Sequence, residues 1–475
     1  MVIACWLTAA WFNMPPTNAE PAVTTVPASL SGSQLAPSPY DLLESNLRDF
    51  VPINDAAGWA MKVYSLRDDP YRFWRGAKDL FAAWCREHAA DWIADRDVVF
   101  PAHGDLHLGN IGTYHAGQFG QLAFGMVDFD DACLLPYQLE LLSGLVTMEL
   151  IAEVNGIELD DARRRDLAGQ LVEQFVAAAA EPDRAAERLA SIPAVRKLLD
   201  RAGKRTYQRM LEELVEDGRF RRVLTSGGGE VREILRPIDD RRGEVASLLE
   251  QATWNNQRFA SLVRYRKGSQ WQKAIRSVAL RTRVGSAGSQ GLEKILVLVE
   301  RPFVGVDHDG VFYLKQQIPT AFERERRRGR AAFLHDPPPR GNRVVELMDQ
   351  MCRPPPLFSS YAEQSGPGPW AKAYWVTVRE PWSDELDHKD VKTLDDLRQA
   401  ADIWALVAGA AAGRCGLRHG QIDTPEGRNK LVEQLLDRGP RFVRWMNEQY
   451  EQFLSDPRVS EQVRRAREFI DAAAR

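Results

Sequence analysis

Two neighbouring acidic stretches carry the residue types and spacing that phosphoryl transfer uses. In His103-Gly104-Asp105-Leu106-His107-Leu108-Gly109-Asn110 an Asp and an Asn stand five residues apart, and Asp128 follows eighteen residues after the Asn, at the end of an apolar run, in Val127-Asp128-Phe129-Asp130-Asp131. Transfer of a phosphoryl group to a hydroxyl needs one carboxylate to accept or orient the hydroxyl proton. It also needs a carboxamide and a second carboxylate to hold Mg²⁺ against the nucleotide phosphates. Asp105 is then the expected base and Asn110 and Asp128 the expected metal ligands, with His103 and His107 hydrogen-bonding the loop backbone and Asp130 in support. The plain structural alternative is a polar turn with packed histidines beside an unrelated acidic turn. A two-metal phosphoesterase, suggested by Gly104-Asp105-Leu106-His107, needs further His and Asn ligand clusters. His88, His115, His308, His335, His388 and His419 each stand alone in the sequence.

A grip for the phosphates is expected well downstream. Gly285-Ser286-Ala287-Gly288-Ser289-Gln290-Gly291 precedes an apolar strand pattern, and glycines let backbone N–H groups approach an anion closely. Lys315 is a single charge inside the strand pattern FYLKQQ, and a Lys there needs a counter-charge. Glu346, in the helical stretch RVVELMDQM, is the expected partner, and Glu380 ends the strand YWVTVRE where an adenine could bond the backbone. Alone, the glycine run reads as a hairpin loop and the Lys as a snorkelling surface residue. Their order (glycine loop, strand, Lys strand, Glu helix, strand, hinge) is what gives them meaning together.

The elements that must position these residues follow from periodicity. Residues 40–98 and about 135–275 show apolar residues at helical spacing, and 98–131 switch to short strands. KILVLVER, GVFYLKQQI and AKAYWVTVRE are the strongest strand patterns, and the tail from 392 is helical again. The 475 residues carry 62 Lys+Arg against 66 Asp+Glu, a balance of −4 that argues against nucleic acid as the main partner. Hydrophobic residues at 44% and charged residues at 27% exclude a mainly disordered chain. Five dispersed Cys point to reduced thiols and a cytoplasmic setting. Residues 2–12 are apolar, but no Lys or Arg occurs before Arg48, and the run is too short for a membrane span, so export through it is the minor expectation. ERERRRGR at 323–330 reads as a solvated helix face.

HGDLHLGN followed by VDFDDA resembles the catalytic and metal loops of the aminoglycoside phosphotransferase and protein-kinase-like superfamily, where protein kinases have HRDxxxxN and DFG. Gly104 stands at the Arg of HRD and Asp130 at the Gly of DFG, both in the manner of small-molecule kinases. Only 102 residues precede His103, and they read as helices, so the nucleotide lobe has to follow the catalytic loop. The implied fold is α+β and bilobal, protein-kinase-like but circularly permuted. It comprises a leader over 1–39, a helical large lobe over 40–275, a small antiparallel-sheet lobe over 276–381, and helices over 382–475 returning to the large lobe. This order is similar to the bacterial family known as domain of unknown function 2252, on Arg75-Gly76 in PYRFWRG, HGDLHLGN, VDFDDA, VGSAGSQG, YLKQQ, RVVELMDQM and YWVTVRE. Departures from that pattern include Ile111 after the Asn, Glu140 for an Asp, and Gln316-Gln317 after the Lys. The resemblance implies an ATP- and Mg²⁺-dependent phosphotransferase acting on a hydroxyl of a small molecule. A nucleotide-binding pseudokinase is the alternative.

Overall fold

The computed structural model describes residues 38–48, 56–94, 99–116, 121–285, 290–327, 340–364, 372–417 and 422–474. The leader expected over 1–39 lies outside them except for its last two residues, as do Ser286, Gly288 and Ser289 of the glycine run. The chain is mixed α and β, with helices and antiparallel sheets arranged around two main hydrophobic cores. No helix among the described residues is long and apolar enough to cross a membrane.

The first core is helical. Its centre is Tyr137–Val154, buried on nearly every side, with Gln138, Glu140, Ser143, Thr147 and Glu149 buried among its apolar residues. Asp161–Ala180, Leu394–Arg414 and Pro425–Ser455 pack around it. Leu394–Arg414 begins at a reciprocal cap, with Thr393 Oγ1 accepting from the Asp396 N–H and Asp396 accepting from the Thr393 N–H. It lies so close to Asp161–Ala180 that a Cβ at Gly409 or Gly413 would stand 2.2 or 2.1 Å from a backbone oxygen of that helix. Trp404 on the same helix donates its indole N–H to the Leu106 carbonyl at 2.7 Å, pinning the HGDLHLGN loop to the core.

The second core lies against a seven-stranded antiparallel sheet. From edge to edge its strands are Ser359–Gln364, Lys372–Val378, Gly310–Gln317, Lys294–Val299, Ile275–Arg283, Val231–Pro237 and Val223–Thr225. Strand alternation turns Phe312 and Leu314 into this core and Lys315 to the opposite face. The helices Arg242–Asn255, Gln257–Leu262 and Gly268–Ala274 supply Leu249, Phe259 and Trp271 to the same core. The expected helical run to 275 is therefore interrupted. Two strands of the sheet lie before it, and residues from Tyr207 onward pack into the second core, so the division expected at 275/276 does not separate the two. The sequence pattern missed this because short strands such as Val223–Thr225 leave too few residues for a period.

A third, three-stranded sheet links the halves. Ile111–His115 pairs with Leu122–Met126 on one side and with Asp384–Glu385 on the other. Asp384 lies only six residues beyond Val378, so the chain passes directly from the large sheet to a strand paired with the one that follows Asn110.

Candidate active site

The HGDLHLGN loop is held from both sides before any of its residues can do chemistry. His103 is fully buried, and its Nε2 lies 2.9 Å from the Val127 carbonyl while its Nδ1 accepts the Asp105 N–H at 3.3 Å. Those partners place the proton on Nε2. Burial lowers the His103 pKa, Glu140 opposing, so the ring is a neutral strut. Glu140 accepts the N–H groups of His103 at 3.2 Å and Gly104 at 3.3 Å from the first turn of the central helix. Gly104 has φ +73°, and a Cβ there would lie 2.2 Å from the Asp131 carbonyl oxygen, so the two acidic loops touch through this glycine. Arg75 donates from Nε to His107 Nε2 at 3.0 Å. Burial, then Arg75 and Lys78, push His107 well below its ordinary value.

Asp105 meets an unexpected cation. Lys78, at the start of the helix Lys78–His88, places Nζ 2.9 Å from Asp105 Oδ1 and 3.3 Å from the centre of the Trp74 ring. Burial raises the Asp105 pKa to about 6, with Lys78 pulling it down and Asp131 pushing it up. Burial likewise lowers Lys78, which Asp105 opposes. Both shifts have one origin: each charge loses water, and the pair restores only part of that loss. Lys78 was legible in principle, since it lies at helical spacing with Phe81, Ala82 and Cys85, a charge within a buried stripe.

Asn110 and Asp128 are brought together by the small hairpin. Ile111 pairs with Met126, and the Val127 N–H donates to the Asn110 carbonyl at 2.9 Å, which leaves Asp128 one residue beyond. Asn110 Nδ2 donates to the Asp105 carbonyl at 2.8 Å, turning the amide oxygen away from that bond. Asp128 has φ 62° in the left-handed region, a conformation that costs a non-glycine residue on the order of 1 kcal/mol or more. Its side chain is 46% exposed. Surrounding protein works against its ionisation, but Lys315 overrides this and holds the carboxyl down to about 2. One ionised carboxylate and one carboxamide oxygen suit Mg²⁺, which keeps several waters and takes phosphate oxygens. No cluster of three or more His, Cys, Asp or Glu suited to a metal occurs among the described residues.

Lys315 arrives from the other core. Its Nζ lies 2.5 Å from Asp128 Oδ1 and also contacts Asp130. Burial disfavours the ammonium, yet these two carboxylates raise its pKa. Asp130 moves upward through burial and its neighbour Asp128, against Lys315, and Gln317 steadies it at 2.9 Å. Asp105, Asp128, Asp130 and Lys78 line one cleft, which encloses ≈ 670 Å³ including its open mouth.

Two expectations are corrected, those on Glu346 and on the run ERERRRGR. Glu346 is exposed and accepts from Asn342 instead of meeting Lys315. The inward residue of that helix is Arg343, 1% exposed, which donates to Glu323 at 2.8 Å and to the Asp130 carbonyl at 2.7 Å. The expectation for Glu380 concerned its backbone; its carboxylate turns to His115, accepting the backbone N–H at 3.2 Å, with Nδ1 also at 3.2 Å. The described part of ERERRRGR faces inward as well: Arg324 pairs in bidentate fashion with Asp79 at 2.7 and 2.8 Å, and Glu325 is 1% exposed against Arg86. Charge alternation in that run reflects buried pairs on two sides, which spacing alone does not distinguish from solvation. Of the glycine run, Gly285, Gln290 and Gly291 are described, with φ +76° at Gly285 and +88° at Gly291.

A family model described as "Uncharacterized protein conserved in bacteria (DUF2252)" matches residues 55–456. No curated protein and no solved structure matches the chain.

Proposed function

This chain belongs to that DUF2252 family of bacteria, and from that premise we propose that it is an ATP- and Mg²⁺-dependent phosphotransferase acting on a hydroxyl, built as a circularly permuted protein-kinase-like fold. The observation that carries the reading is the 2.5 Å contact of Lys315 with Asp128, two residues 187 positions apart and rooted in different cores. A lysine that grips phosphates and a carboxylate that faces their metal have to lie together, and Asp128 and Asp105 line one cleft.

In this reading Asp105 accepts the acceptor's hydroxyl proton while the hydroxyl oxygen bonds to the terminal phosphorus and the bond to the departing nucleoside diphosphate breaks. A carboxyl near 6 is ionised at neutral pH yet basic enough to help. Asn110 and Asp128 would hold Mg²⁺, which draws charge off the phosphate oxygens. Lys315 exchanges its carboxylate contacts for phosphate oxygens. His103, Glu140 and Trp404 keep the Asp105 loop in place, so reorganisation during transfer stays small.

One observation favours a second reading, a nucleotide-binding module without transfer: Lys78 already neutralises Asp105. Labelled ATP with a broad panel of hydroxyl acceptors separates the two. Phosphotransfer by the wild type, lost by about 10²-fold or more in Asp105→Ala and in Asp128→Ala, is the expected result. Binding of Mg-ATP with no transfer to any acceptor supports the module.

A further inference from the structure

Among the described residues, Lys294 is a buried cation without an ion-pair partner. It opens the strand Lys294–Val299 and is 4% exposed. The register sets it directly across from Lys315, so both ammonium groups project from the same face of the sheet. On the other side, the Ile295–Leu280 pairing carries Arg281 alongside it. Each cation in this row except Lys294 is neutralised. Arg281 makes two bonds of 2.8 Å to Glu233, and Lys315 holds Asp128 and Asp130. No side-chain hydrogen bond or ion pair reaches the Lys294 ammonium among the described residues.

Such an arrangement is costly in an empty protein. Like charges placed directly across a strand pair repel, and a buried ammonium loses its water. Burial, then Lys315, Arg281 and Arg283, push Lys294 well below its ordinary value, with only Asp128 acting the other way. A methionine of similar length would fill the same space without that cost, so the lysine needs a ligand to justify it. An anion with several oxygens suits this place, because it meets Lys294 and Lys315, which project from the same face, together.

We propose that Lys294 is a second ammonium for a polyphosphate anion, gripping the phosphate chain of a nucleotide beside Lys315. This rests on the phosphotransferase reading for the nucleotide, though the anion site stands on the lysine's own geometry. Lys294 would engage oxygens on the side of the chain away from Asp128, sparing those for the metal.

Calorimetry and thermal unfolding of the full chain test this, with metal-free inorganic tripolyphosphate and with Mg-ATP, on wild type, Lys294→Met and Lys294→Arg. Without ligand, Lys294→Met is expected to melt above wild type. Its affinity for tripolyphosphate should fall about tenfold or more, as for a lost charge-assisted bond, while Lys294→Arg keeps most of it. A Lys294→Met protein that binds both ligands as tightly as wild type overturns the proposal and leaves the phosphotransferase reading standing. A wild type that binds neither ligand overturns the proposal too. Lys294-dependent binding of tripolyphosphate with no affinity for Mg-ATP supports the anion site and removes the phosphotransferase.

Discussion

At the residue scale, the arrangement around Asp105 makes its acidity a sum of opposing terms that mutation can separate. A base protonated below about 6 gives a kcat/KM that rises with pH through that region. Lys78 lowers the Asp105 pKa, so Lys78→Met should move the rising limb to higher pH, and Lys78→Arg should largely restore it. A pH–rate profile on the acceptor found by screening is the measurement; an unmoved limb would show that the 2.9 Å pair does not govern the base. That Asp105, Asn110 and Asp128 come near one another was legible, because they lie within one loop and one hairpin. Lys78 and Lys294 were harder, since what distinguishes them is the partner, or the lack of one, supplied from distant elements.

At the scale of elements, Glu233 fastens the far side of the sheet. It is 5% exposed and bonds Arg281 at 2.8 Å twice and Arg379 at 3.0 and 3.1 Å, joining three segments. Burial would raise its carboxyl, but Arg281 and then Arg379 hold it far below the usual range. The sign follows: the folded pKa is depressed, so this stabilisation is complete above the unfolded value near about 4.3 and is lost as pH falls below it. Glu233→Ala takes the carboxylate from two half-buried guanidinium groups and should cost about 1–3 kcal/mol in denaturant unfolding at pH 7. The difference from wild type should shrink in acid. Gly413→Val should also destabilise, because its Cβ has no room against the neighbouring helix, by about 1–3 kcal/mol. The long strands were readable from alternation in KILVLV and GVFYLKQQ. The inward choice of Arg343 over Glu346 was not, because the rotation of a helix over a sheet is set by packing that the helix's own residues do not encode.

At the scale of the whole molecule, the two cores meet through ion pairs that a ligand would have to exchange. Lys315→Met leaves Asp128 and Asp130 facing each other without their cation. It should lower the melting temperature of the empty protein and abolish most of the rise produced by Mg-ATP. For wild type at a hundredfold excess over Kd, that rise corresponds to about 2.7 kcal/mol. Differential scanning fluorimetry of both proteins, with and without nucleotide, reads this directly, and an equal rise in both would count against the role given to Lys315. Membership in the family was legible from scattered motifs, whereas the boundary between the cores was not, because the segment from Tyr207 to Ala274 is helical in pattern but contributes to the sheet's core.

The direct passage from Val378 to Asp384 has one more effect. With so little slack between the large sheet and the strand beside Asn110, the chain itself acts as a spacer that sets the gauge of the gap between lysine and carboxylate. Splicing a few extra residues into that tether should leave each half folded while letting the gap drift.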